Sequence, residues 1–421
     1  MTFTLKYRIK LKKRQGRFDG IYFLFIFYFI YEILFDCFLP GSVLMQISPY
    51  ILFGLELFSM LYLVRCSRWK LRMGPEAFAA LIICVGNTLL TARHTGPVDV
   101  AKTFANQTAI FFVCCFFTTY RCSEEGFYKI LKIIAGFAVA AILYSVVLEG
   151  AVSTILHMSN AYAKEITSFW YGKNPYGRFL YIAEVCAFTG LVLDRYQGKS
   201  GFRWTAVCVV IFAGIIFTFS RTALLTVSVF FAMYLILTTG NHKLRNVLIA
   251  VLVAGILLFM FSDRSIMAYL EKFIFRNKAG LAGREDIWKV GVDYIMTHPF
   301  LGTGEYMADD ILHAAGLDHS EFHNAYIYRM ITSGLLLSLL YVYLWGMRLR
   351  KLWRSRRKNP AVNCSLALAV SLLVYMLAEQ YSYYRLILDG LLISLFLYAV
   401  PLMNLRTNAA AEQELPEKIQ N

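Results

Sequence analysis

Residues 282–304 read AGREDIWKVGVDYIMTHPFLGTG, and residues 319–328 read HSEFHNAYIY as the chain enters an apolar segment. Both begin inside 262–323, a long polar interval between hydrophobic stretches, and the rest of the chain is read outward from it. The interval holds His298, His313, His319 and His323, four of the seven histidines, with Arg264, Arg276 and Arg284. On either side, windows of about 20 apolar residues recur, the length a helix needs to cross a bilayer core roughly 30 Å thick.

With 421 residues, 58% of them hydrophobic, 16% aromatic and a mean hydropathy of +0.54, the chain is too apolar for a water-soluble domain. The expected fold is therefore all-α: a polytopic integral membrane protein of about 12 transmembrane helices. The spans fall at roughly 20–40, 47–64, 76–92, 104–120, 128–149, 174–193, 203–219, 222–239, 246–261, 324–346, 361–379 and 384–404. The chain reads as a single membrane domain, 1–421, with 262–323 inserted between spans nine and ten.

The formal net charge of +15 does not call for nucleic acid. With the N-terminus inside, 28 of the 42 Lys and Arg fall in the tails and alternate loops, among them RCSRWKLR at 65–72 and MRLRKLWRSRRK at 347–358. That is the positive-inside pattern, and it places both ends in the cytoplasm and 262–323 on the outer face. The basic N-terminus is followed by no small-residue cleavage site and reads as a retained signal anchor. The nine cysteines sit in or beside apolar segments and outside the interval, against a disulfide framework or a Cys-ligated zinc site.

On the outer face ATP and nucleotide-sugars are absent, so a group-transfer reaction there needs a donor already activated and already across the membrane. The interval carries ten acidic and six basic residues, so it is no simple cationic funnel. Gly283 precedes Arg284, Glu285 and Asp286, acids suited to a helix N-terminus, and Ile287, Trp288, Val292 and Ile295 recur at helical spacing until Pro299 and Gly302. An amphipathic helix at the membrane surface follows, with Trp288 at the interface and Arg284 at its start; a plain solvated helix is the bland alternative. FTFSRT at 217–222 joins two spans almost without a loop, which sets Arg221 at the outer boundary. An arginine there is costly unless it snorkels, pairs or faces a polar cavity. WYGKNPYGR at 170–178 opens another span with Gly and Pro breaks, a kind of backbone tolerated where it lines a cavity.

His319 and His323 stand i, i+4 and are expected to share a helix face; no third zinc ligand has a compelling spacing. His323 is the better general base, because Asn324 and the first apolar turn anchor it, and an imidazole with its ordinary pKa of roughly 6.5 is mostly neutral near pH 7. A diphosphate leaving group gathers negative charge as its bond to sugar breaks, and guanidinium groups bind phosphate bidentately. Arg221 and Arg284 are the arginines placed to do so. Trp170, Tyr171 and Tyr306 are candidates to face sugars, and Asp389 is spaced to pair with Arg385 along one helix face.

In order, FTFSRTALL, AGREDIWKVGVDYIMTHPFLGTGEY and HSEFHNAYIYRMITSGLL resemble the O-antigen ligase and O-antigen polymerase superfamily of bacterial membrane proteins. The resemblance covers roughly 170–345, the remainder matching in span count. It implies a GT-C-like membrane glycosyltransferase that uses an undecaprenyl-diphosphate-linked oligosaccharide on the extracytoplasmic face of the cytoplasmic membrane. No metal, nucleotide or other cofactor is implied. The family's serine-arginine step falls on Ser220 and Arg221, its glycine-arginine step on Gly283 and Arg284, and its His-Asn pair on His323 and Asn324. NPYG at 174–177 is similar to an Asn-containing stretch of many members, some with a second Asn where this chain has Tyr176. The implied catalytic set is His323 as base with Arg284 and Arg221 on the diphosphate; Ser220, Asn324, His319, Asn174 and Trp288 complete the substrate-binding set. His298 is assigned to shaping the turn.

The leading functional expectation is polymerisation of lipid-linked repeat units into O-antigen, capsule or exopolysaccharide, with a chain-length regulator and a flippase of the same pathway as partners. A ligase moving finished glycan to lipid A-core or another acceptor shares donor, leaving group and base. A transporter or flippase of lipid-linked glycan is the reading from another class, against which stand the absence of an evident internal repeat and the clustering of polar candidates on one surface. A non-catalytic scaffold leaves the histidines and arginines without a role.

Overall fold

A computed structural model describes residues 22–32, 51, 54–55, 57–62, 64–65, 73–117, 122–150, 166–170, 172–218, 220–247, 249–251, 284–319, 321–357, 359–381 and 388–403. Helices make up the elements: α1 (Tyr22–Glu32), α2 (Pro75–His94), α3 (Pro97–Phe117), α4 (Glu124–Val147), α5 (Lys173–Tyr196), α6 (Phe202–Phe217), α7 (Arg221–Thr238), α8 (Arg284–Thr297), α9 (Ala308–Ala314), α10 (Ala325–Ser355), α11 (Pro360–Ala378) and α12 (Leu388–Ser394). The last continues into a buried π turn and a 3-10 turn ending at Leu402. No strand occurs among the described residues. Six of the described helices, α2, α4, α5, α7, α10 and α11, are long and apolar enough to cross a membrane, which fits a multi-pass membrane protein. Of the expected spans, 20–40 is described over Tyr22–Glu32 and 47–64 in part, while most of 246–261 lies outside the described residues, as do Arg264, Arg276, Gly283, Tyr171 and Arg385.

Local chemistry sets several helix starts. Ser123 Oγ accepts from Gly126 N–H at 3.0 Å, with Glu124 and Glu125 in the first turn of α4. Asn359 caps α11 by accepting from Ala361 N–H at 2.8 Å, and Pro360 supplies a first residue whose missing N–H costs nothing there. Pro97 starts α3 seven residues before the expected 104. Basic residues do not end α10 at 346, because Arg348 is buried as the ionic partner of Glu76 and lies 3.9 Å over the Tyr398 ring.

The bundle packs α5 against α4, α6, α7 and α11, with α7 also on α11; α2 and α3 form a hairpin on which α10 rests. Fully buried Leu180, Ile182, Phe127, Phe230, Leu368 and Leu392 belong to one core shared by these helices. Gly177 makes the α5–α7 crossing close: a Cβ there would sit 2.8 Å from Ser220 Cβ and 2.9 Å from Ala223 Cβ. Its lack of a side chain brings the start of α7 against the start of α5.

The polar interval builds a small core of its own. Ile287 from α8, Ala308 and Leu312 from α9, Phe322 and Ile331 form it, with Trp288, Ile295 and Ile327 packed around. The amphipathic helix expected from the sequence is thus present as α8, and its apolar face rests partly on the start of α10. Gly334 interrupts α10 with φ +65°, ψ 177°, leaving backbone groups without helical partners. Residues 299–305 fill the break: Thr303 and Gly304 N–H donate to the Ile331 and Thr332 carbonyls at 2.9 Å each, and Leu335 N–H donates to Pro299 at 3.0 Å. Beside it, Glu305 accepts from Arg329 Nη1 (2.7 Å), Gln107 Nε2 (2.8 Å) and the Tyr328 hydroxyl, and its own N–H donates to Thr91 Oγ1 (3.0 Å). Residues 299–305 are thereby locked to α2, α3 and α10.

Candidate active site

The C-terminal end of α11 receives contacts from four parts of the chain. A helix end leaves carbonyls without intrahelical donors. Here Asn324 Nδ2 donates to the Leu377 carbonyl at 3.0 Å and Arg284 Nη1 to the Ala378 carbonyl at 2.5 Å. Phe322 N–H donates to Gln380 Oε1 at 2.9 Å. Between them, Glu379 is the focus. Its Oε1 lies 3.1 Å from Arg284 Nη2 and accepts from Asn174 Nδ2 at 3.1 Å and Thr222 Oγ1 at 3.4 Å; its Oε2 lies 3.7 Å from His323 Nδ1.

Each contributor is delivered by an element end. Asn174 is on the first turn of α5, and its Oδ1 accepts from Ser220 Oγ at 3.2 Å. Ser220 caps α7 through Ala223 N–H at 3.4 Å, which sets Arg221, half-buried, at the first residue of that helix and Thr222 at the second. Arg284 opens α8. Asn324 caps α10, its Oδ1 accepting from Tyr326 N–H (3.0 Å) and Ile327 N–H (3.1 Å). Just before it His323 holds φ +47°, a left-handed conformation uncommon outside glycine. Trp288 steadies that turn: its indole N–H donates to the Phe322 carbonyl at 2.9 Å. This N–H is engaged by the chain itself.

Burial opposes ionisation of Glu379, 8% exposed, but the His323 imidazole and the Arg284 guanidinium outweigh it and hold the carboxyl below its ordinary range. Arg284 uses two N–H groups on α11, and a guanidinium has five, so three remain for a ligand. His323 Nδ1 is buried and makes no hydrogen bond, with the carboxylates Glu379 Oε2 at 3.7 Å and Glu321 Oε2 at 3.9 Å. A histidine, a buried carboxylate and a guanidinium thus meet at one place, groups that can together activate a hydroxyl.

Of the residues expected from the sequence, Arg284, His323, Asn174, Ser220 and Asn324 are brought together here, with Arg221 beside Ser220 and Thr222 and Trp288 one bond behind His323. His319 differs: it is exposed in a non-helical stretch, so the i, i+4 spacing does not place it on a helix face with His323. His298 is exposed and stacks on Tyr294 at 4.6 Å. Trp170 is 6% exposed and stacks on Phe179 (4.6 Å) and Tyr176 (5.3 Å), a packing residue rather than one facing sugar. Asp389 pairs with Arg178, one turn after Asn174, at 2.6 Å. Glu379 stands out in the sequence as an acid near an outer boundary, costly there unless paired, but sequence reasoning gives it no role in the site.

Residues 206–342 match the family model described as O-antigen ligase. The match takes in Ser220, Arg221, Arg284, His323 and Asn324, while Asn174 and Glu379 lie outside it. No curated protein matches the chain. The family match supports the O-antigen ligase and polymerase superfamily read from the motifs, whose members are glycosyltransferase-like enzymes.

Proposed function

We infer that the protein transfers glycan from an undecaprenyl-diphosphate-linked oligosaccharide at the Glu379 site, on the extracytoplasmic face of the bacterial cytoplasmic membrane. The observation that carries this reading is the meeting of His323 and Arg284, 39 residues apart in sequence, on one buried carboxylate that also accepts from Thr222, the residue after Arg221. The charge distribution between loops supports the outer face.

In the proposed reaction His323 Nε2 takes the proton of an acceptor hydroxyl as its oxygen attacks the anomeric carbon. The bond from that carbon to the diphosphate oxygen breaks, and the polyprenyl diphosphate departs with the bonding pair. Arg284 and Arg221 bind the charge that grows on the diphosphate, and Glu379 orients His323 and balances the imidazolium. Direct displacement inverts the anomeric centre. Ser220, Asn174 and Asn324 fix the helix ends that carry these groups.

Repeat-unit polymerisation is the first reading, as the activity more widely distributed in the superfamily; the description of the family matching 206–342 favours ligation as the second. A flippase and a chain-length regulator of the same pathway are the expected partners of a polymerase. The test supplies reconstituted protein with polyprenyl-diphosphate oligosaccharide, with and without lipid A-core, in the presence of EDTA. A ladder lost in His323→Ala and Arg284→Ala supports polymerase; a single transfer to lipid A-core, lost in the same variants, supports ligase. Product undiminished in both variants removes this site from the reaction.

A further inference from the structure

The opposite end of α5 borders a concavity. It lies about 36 Å along the 24-residue helix from the Asn174 end, at a rise of 1.5 Å per residue. Its volume is about 860 Å³, and it opens between α4, the end of α5 and α6. Lys132, Lys199 and Arg203 line its rim, all exposed. The one acid of the lining, Asp194, is buried and already accepts from the Tyr128 hydroxyl at 2.7 Å, which in turn accepts from Trp204 Nε1 at 2.7 Å. Three cations therefore line a cavity whose single acid is already engaged.

The walls change character with depth in the same order on both sides. On α4, Lys132 is followed one turn on by Gly136 and then by Val139; on α6, Arg203 is followed one turn on by Val207. Both helices run away from the α5 C-terminus, so charge sits at the mouth and apolar surface lies farther into the bundle. Gly136 has no packing duty: a Cβ built there meets nothing within 4 Å. The missing side chain instead keeps the slot open. A cationic mouth above an apolar slot matches a phosphate group joined to an acyl chain.

We propose that this concavity binds an anionic phospholipid, headgroup phosphate on Lys132, Lys199 and Arg203 and one acyl chain along the Gly136 wall, on the membrane face opposite the Glu379 site. The site is independent of the glycan-transfer reading. The test is native mass spectrometry of delipidated full-length protein titrated with phosphatidylglycerol, phosphatidylcholine or inorganic phosphate. Phosphatidylglycerol is expected to be retained over phosphatidylcholine. The Lys132→Gln/Lys199→Gln/Arg203→Gln variant is expected to lose retention by about a hundredfold, and Gly136→Leu to lose it with every cation in place. Thermal melting in detergent checks that the variants are folded, and Lys199→Gln alone, a single change at an exposed position, is expected to show a partial loss even if the triple variant does not fold. Equal retention of both lipids, retention by Gly136→Leu, no loss in Lys199→Gln, or inorganic phosphate binding as tightly as the lipid overturns the proposal.

Discussion

Glu379→Gln separates charge from shape at the proposed active site. Glutamine keeps an oxygen for Asn174 and Arg284 and removes the negative charge. If His323 takes a proton in the transition state, an imidazolium forms 3.7 Å from Oε2. Coulomb's law values that pair at about 1.1 kcal/mol in water and about 4.5 kcal/mol at an effective dielectric near 20. Exposure of 8% argues for the upper part of this range, while Arg284, 3.1 Å from Oε1, draws on the same charge and argues downward. A loss of about 2 to 3 kcal/mol remains, equal to a rate lower by about 30- to 150-fold. The assay is the initial rate of oligosaccharide transfer by reconstituted protein, with melting temperature as the control for fold. Glu379→Asp is expected to fall between wild type and Gln. A Gln variant that melts like wild type and works within threefold of its rate refutes the role given to Glu379.

Three further outcomes follow from other contacts. Gly302→Ala places a Cβ 2.1 Å from the Thr332 carbonyl oxygen; overpacking and loss of the neighbouring backbone bonds are expected to cost about 2 to 4 kcal/mol, read as a lower melting temperature, and an unchanged melt contradicts the docking of 299–305. Asp389→Asn leaves the Arg178 guanidinium without its counter-charge at about 3 kcal/mol, and Arg178→Met with Asp389→Leu is expected to recover most of that in the same melting experiment. Because the Glu379 carboxyl is held below its ordinary value, the stability it contributes is fully present above about pH 4.3 and is lost as pH falls through the lower folded value. Acid unfolding of wild type and Glu379→Gln is therefore expected to converge in that window; curves that stay parallel there count against the assignment.

Apolar length made the six described spans readable, and the REDIWKVGV periodicity made α8 readable, because both are local properties of the chain. The far end of α10 was not: its basic residues look like a loop until Arg348 finds Glu76, 272 positions away in sequence. The site shows the same division. Arg284, Arg221 and His323 stood out as polar groups beside hydrocarbon, whereas Glu379 gains meaning only from groups that reach it from α5, α7, α8 and the turn before α10. His319 was over-read for the converse reason, since a four-residue spacing signals a shared face only where the backbone is helical. Residues 299–305 read as a helix stop, which they are; that they also complete another helix depends on Gly334, whose positive φ has no pattern in the surrounding letters.

The break at Gly334 also bears on how the chain is assembled during synthesis. The carbonyls of Ile331 and Thr332 take their donors from Thr303 and Gly304, which leave the ribosome about 28 residues earlier. The partner is thus already made when the interrupted helix emerges, but on the inferred topology it is useful only after export. Translocation of the polar interval then precedes completion of α10, and a chain stalled before that step would present unpaired backbone to lipid and become a natural substrate for membrane quality control.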